Sequence, residues 1–140
     1  MKESSCGFQE LEHDPKSNHT VTLGLLADVT GTWQVKDEKA ILSLTDHHIW
    51  SEKFVRDRLS WRPKIPFTIF ELKVNRLSEP ISLPNSDSYW GCFSFVDIPC
   101  DGRISLDTLS ADATPVLNDV EFDERQHAIR RLLEGQSPIW

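Results

Sequence analysis

Long apolar runs are missing from this chain: no stretch approaches the roughly 18 apolar residues that a membrane-spanning helix requires. Residues Met1 to Glu10 also lack the apolar core of a signal peptide. The expectation is therefore a cytoplasmic protein with no membrane association. Cysteine is scarce, with Cys6, Cys92 and Cys100 at irregular spacing and no C-x-x-C pair. An odd, scattered set makes no disulfide framework and no close-set zinc site, so buried free thiols are the plain reading. There are only six glycines, no G-x-x-x-x-G-K loop and no Gly-x-Ser-x-Gly elbow, and Val29-Thr30-Gly31 is too short to cradle a phosphate. Nothing in these patterns implies a cofactor or a metal, and none is expected.

What is present is an ordinary globular composition, 39% apolar and 26% charged. At 140 residues the chain can bury one hydrophobic core but not two. The formal net charge is −7, which opposes non-specific binding to nucleic acid. That average conceals an asymmetry. Residues 53 to 76 hold seven basic residues against two acidic ones, whereas the rest holds eight against twenty. A basic segment on an acidic body is either an anion-binding face or a solvated set of ion pairs.

Residues 1–20 are polar and read as a flexible arm, followed by one β-rich domain over 21–140. Val21 to Val29 is an apolar run in which Gly24 signals a bulge or a close backbone approach, and Thr30-Gly31 signals a turn before a short strand from Thr32 to Val35. Ala40 to Leu44 fits a helical turn or a strand equally. Ser51 has the character of an N-cap for a short inserted helix carrying Phe54, Val55 and Leu59, which Pro63 and Pro66 terminate. Phe67 to Val74 is the best strand by composition, with an extended continuation from Leu77 to Leu83. Tyr89 to Ile98 reads as a second strong strand and Arg103 to Leu109 as a last one, with residues 110 to 121 as loop. Asp123 and Gln126 have capping-box spacing, which predicts a C-terminal helix over about 123–134 stopped by Gly135. The sum is an α+β fold: a small mixed β-barrel with one inserted helix and a terminal helix.

Two segments carry a resemblance. His48-Ile49-Trp50-Ser51, Arg58-Leu59, Trp61-Arg62-Pro63 and Pro66, with Pro80 to Pro84 and Tyr89 to Val96, resemble an uncharacterised bacterial family of unknown function over about residues 21 to 98. The resemblance implies no reaction. The resemblance implies longer members with a further N-terminal region that this chain lacks, so any activity housed there would be either lost here or supplied by another chain. The order of elements is also similar to the PUA-like barrels, the ASCH and EVE domains among them. That likeness implies RNA or a modified base bound in a cleft.

Three constellations bear on chemistry. Asp46-His47-His48 offers metal-ligand types, but adjacent histidines on a strand point to opposite faces, and the further acidic motifs of the phosphoesterases that share this tripeptide are absent. The plainer reading has His48 hydrogen-bonding structurally and His47 exposed. Trp50, Trp61 and Trp90 beside Arg56, Arg58 and Arg62 suit base stacking with phosphate held by guanidinium groups, or alternatively a core plug with arginines packed over it. Cys92 and Ser94 share one strand face, and a Cys92–His48 nucleophile pair would need the two within hydrogen-bond reach. The leading expectation is a non-catalytic binding module for RNA, DNA or a nucleotide, with His48, Trp50, Arg56, Arg58, Trp61, Arg62 and Trp90 lining one cleft. An acidic interaction or inhibitor protein, its residues 101 to 124 meeting a basic protein partner, is the first alternative. A hydrolase using His48 is the second.

Overall fold

The computed structural model describes residues 18–91, 95–98 and 104–139. Its spine is a pair of long antiparallel strands, β1 (Thr20–Val35) and β2 (Phe67–Pro84). Between them in sequence come α1 (Glu38–Ser43), a 3-10 turn (Thr45–His47) and α2 (Glu52–Trp61). After β2 follow a 3-10 turn (Asp87–Tyr89), α3 (Leu106–Asp112), β3 (Thr114–Pro115), α4 (Asp119–Leu132) and β4 (Ser137–Pro138). The sheet is open and antiparallel in the order β3-β2-β1-β4. The mixed α and β content agrees with expectation, and the four described strands form this open sheet rather than a closed barrel. Among the described residues no helix is long and apolar enough to cross a membrane.

Several local signals act as their chemistry dictates. Asp37 caps α1 by accepting from the Lys39 amide at 3.0 Å, which resolves the ambiguity of Ala40 to Leu44 in favour of helix. Ser51 caps α2 by accepting from the Phe54 amide at 3.1 Å. Gly135 takes φ of 83° just beyond α4, the left-handed conformation of a glycine stop.

Other signals were misread, for identifiable reasons. Gly24 does sit at a register shift, but the extra residues are on β2: Leu23 faces Ile81 and Leu25 faces Arg76, so Leu77 to Pro80 bulge out opposite Gly24. Pro80 has no amide hydrogen to give the ladder, so the bulge is where it fits. Thr30-Gly31 is no turn. Val29 faces Leu72 and Gly31 faces Glu71, which leaves Thr30 as one extra residue inside a continuous strand. The stretch Tyr89 to Ile98 is not a strand in its described parts; Tyr89 ends a 3-10 turn and Gly91 has φ of 148°, a conformation that breaks extension. Leu106 to Asp112 is a helix rather than the expected strand, and part of the expected loop is β3. The terminal helix starts at Asp119, four residues early, because Asn118 and Glu121 form the capping box: the Asn118 side chain accepts from the Glu121 amide at 3.0 Å, and Glu121 accepts from the Asn118 amide at 3.1 Å. Gln126 is spent elsewhere, as described below. The expected arm lies outside the described residues up to Ser17, and Thr20 already belongs to β1.

The core sits at one end of the ribbon. Val35 at the end of β1 packs with Ala40, Ile41 and Leu44 of the α1 region, Val55 of α2 and Leu133 after α4. Trp33, Leu59, Phe67, Ile69 and Ile129 close around it. Trp33 lies over Gly31, where an added Cβ would stand 2.6 Å from the indole Cη2. Gly31→Ala should therefore push the indole out of place and cost about 1–3 kcal/mol, read by urea denaturation. A loss near zero would mean that Trp33 moves freely.

Candidate functional site

Where the core meets the first half of β2, two neighbouring cavities open. The first, about 270 Å³, lies between the Leu44–Trp50 turn, α2 and Phe67 to Phe70. Its walls are largely apolar, with Ile41, Leu44, Phe54, Phe67 and Ile129 among them. Trp50 stacks on Phe54 with ring centroids 4.7 Å apart and planes 19° from parallel. Two histidines interrupt this apolar lining. His48 Nδ1 accepts a hydrogen bond from the Trp50 amide at 3.1 Å. An imidazole that accepts through Nδ1 carries its neutral-form proton on Nε2. His48 Nε2 is thus a donor, yet it is buried with no hydrogen-bond partner among the described residues, as is His47 Nδ1. A buried polar group without a partner costs about 1–3 kcal/mol.

The second cavity, about 340 Å³, shares Phe67, Thr68 and Phe70 with the first and adds Arg58, Arg62 and Ile65. Helix α2 supplies its charge. Spaced along the last turn of that helix, Arg58 and Arg62 flank Trp61, their guanidinium carbons 4.7 and 4.4 Å from the indole centroid. Trp61 is 66% exposed and belongs to no core. The Arg62 carbonyl accepts from the Ile65 amide at 3.1 Å, and Pro63 and Pro66 stiffen that turn.

Not all the expected residues join. His48 and Trp50 line the first cavity, Arg58 and Arg62 line the second, and Trp61 lies between the two arginines. Arg56 points elsewhere: it bonds Glu38 and, at 2.7 Å, Glu52, and the Glu52 hydrogen bond chiefly holds its pKa up. Trp90 is at the opposite end of the ribbon, with Asn18, His19, Asn85, Ser86 and Asp87 around another cavity. Its grouping with Trp50 and Trp61 rests on residue type alone, and the fold separates them. Cys92 and Ser94, and with them the Cys92–His48 pair, lie outside the described residues. His47, expected exposed, is half-buried beside His48. Phe54, Phe67, Thr68 and Phe70 were missed as site residues; a strand sequence does not say which faces will border a cavity. Among the described residues no group of three His, Cys, Asp or Glu side chains is placed to hold a metal.

Glu71 was also missed. It is a carboxylate 3% exposed, near the start of β2. It accepts from Thr30 Oγ1 at 2.8 Å, Gln126 Nε2 at 2.8 Å and Arg130 at 2.9 and 3.2 Å. Burial alone would raise its pKa; the hydrogen bonds from Arg130, Thr30 and Gln126, with the Arg130 charge, reverse that and hold it below the ordinary 4.5. Three of these bonds fall on Oε1 and one on Oε2, and the donors on α4, Gln126 and Arg130, make this cluster a fastening of α4 to the ribbon. The sequence signal was a lone acid in a strand of β-branched and aromatic residues.

The chain belongs to the family described as a domain of unknown function, DUF1802, whose model matches residues 2–128. That bears out the resemblance to an uncharacterised family and extends it over nearly the whole chain. No curated protein and no solved structure matches the chain.

Proposed function

We propose that this chain is a non-catalytic binding module that receives the base of a nucleotide or nucleic acid in the His47–His48–Trp50 cavity, with phosphate against Arg58 and Arg62. One observation carries the reading: His48 Nε2, buried at an apolar cavity and without a hydrogen-bond partner among the described residues. A ligand that fits must be flat enough to lie against aromatic walls and must present a hydrogen-bond acceptor to that donor, by way of a small shift of the ring. A nucleobase has both properties, through its π-face and its carbonyl or ring-nitrogen edge.

A ligand that binds only the folded chain raises its melting temperature by mass action. Nucleosides and nucleotides should therefore stabilise the protein, and His48→Ala should weaken binding about tenfold, the worth of one hydrogen bond to a buried donor. Circular dichroism establishes that the variant is folded. Unchanged affinity in folded His48→Ala would remove this cavity from the function.

A further inference from the structure

We infer that the ligand of this site is a free mononucleotide rather than a nucleic-acid strand; the inference rests on the base-binding reading above. The argument is a census of charge. Of the basic residues between 53 and 76, Lys53 pairs with Asp57, Arg56 with Glu38 and Glu52, and Lys73 with Asp119. Among the described residues, Arg58, Arg62, Lys64 and Arg76 have no carboxylate partner. Arg76 is on β2 beside β3, opposite Leu25, far along the ribbon from Phe67. Lys64 is in the turn after α2 and lines neither cavity.

Among the described residues, Arg58 and Arg62 are thus the lysine or arginine side chains that line the two cavities. Both guanidinium carbons lie over one indole, so they are at most about 9 Å apart, the limit that 4.7 and 4.4 Å from a shared centroid allow. The contacts with Trp61 hold both guanidinium groups at the cavity, and among the described residues neither pairs with a carboxylate, so both charges are available to an anion. Such a pair suits one phosphate group. A strand-binding groove instead supplies a series of cations along the backbone, and typical duplex binders neutralise about 6–10 phosphates. Here the next phosphates would meet a body holding eight basic and twenty acidic residues outside 53–76. The two cavities share the Phe67–Thr68–Phe70 wall, so base and phosphate sites are adjacent, as the two ends of a mononucleotide require.

The test is calorimetric titration of the full chain with the four common nucleoside 5′-monophosphates, their nucleosides, inorganic phosphate, and a short single-stranded RNA and DNA. Supporting results are binding of at least one monophosphate about tenfold tighter than its nucleoside, with a loss of less than about tenfold over an approximately fourfold rise in salt, as one or two phosphate contacts dictate. In the Arg58→Gln/Arg62→Gln double variant that monophosphate should fall to the nucleoside's affinity while the nucleoside itself is unaffected; both side chains are exposed, so the fold should persist. An oligonucleotide that binds more tightly than every monophosphate, with a steep salt dependence, overturns the inference and leaves the base cavity standing. If phosphate alone matches the monophosphates, or if nothing binds, the base-binding reading falls and the inference falls with it.

Discussion

Replacing Glu71 by Gln should destabilise the fold by about 2–3 kcal/mol, the range of a hydrogen bond to a charged group lost from a buried site. The carboxylate is buried and receives Thr30, Gln126 and both ends of an Arg130 fork. A glutamine amide of the same shape keeps one acceptor oxygen and loses the charge, and its NH2 group cannot take a hydrogen bond from the Arg130 guanidinium, which has no acceptor of its own. Arg130 is half exposed and can rehydrate, which keeps the loss below that of a fully buried broken pair. The pH dependence has a definite sign. Because the folded pKa lies below the ordinary 4.5, the charged form stabilises the fold fully above that value and the contribution is lost as pH falls through the lower folded value. Urea denaturation of both proteins should therefore give a constant gap from neutral pH down to about pH 5, closing in more acid solution. A gap that is absent at neutral pH would mean that α4 is not held by Glu71.

That cluster also marks the limit of sequence reading. The capped helix α2, the strand from Phe67 onward and the glycine stop at Gly135 were legible because each depends on neighbours in sequence: a hydroxyl three residues from an amide, a β-branched run, a residue free to take positive φ. Glu71 depends on Thr30, Gln126 and Arg130, brought to it from 41, 55 and 59 positions away. Thr30 reaches it because a one-residue bulge turns its hydroxyl to the carboxylate, and the sequence there looked like a turn. Gln126 looked like part of a capping box for the same kind of reason, since spacing alone does not distinguish Asp123–Gln126 from Asn118–Glu121. The site divides along the same line. Arg58, Trp61 and Arg62 share one helix turn and were found together, and His48 and Trp50 are two residues apart on one turn. Trp90 was grouped with them only by residue type, and the fold takes it to the far end of the ribbon.

Leu133→Ala should cost about 3 kcal/mol and lower the melting temperature by roughly 10 °C. Leu133 is 2% exposed and joins α4 to a core that otherwise comes from β1, α1 and α2. That core is small for the chain, because much apolar surface on the ribbon stays in water: Leu25, Val29, Phe70 and Leu72 are all exposed. Each buried leucine therefore carries a large share of the stability, and the space left by its side chain is bounded by Val35, Ile41 and Val55 on three different elements that cannot all close inward. The neighbouring Leu132 is the control, since it is 38% exposed and its truncation should cost under about 1 kcal/mol. Glu71 and Leu133 hold the same helix to the same ribbon, one by charge and one by packing. A double variant should therefore lose less than the sum of its parts, because the first change already loosens the contact that the second removes. Additive losses would mean that these two contacts of the C-terminal half of α4 give way independently, and a Leu133→Ala cost no larger than that of Leu132→Ala would place the core elsewhere.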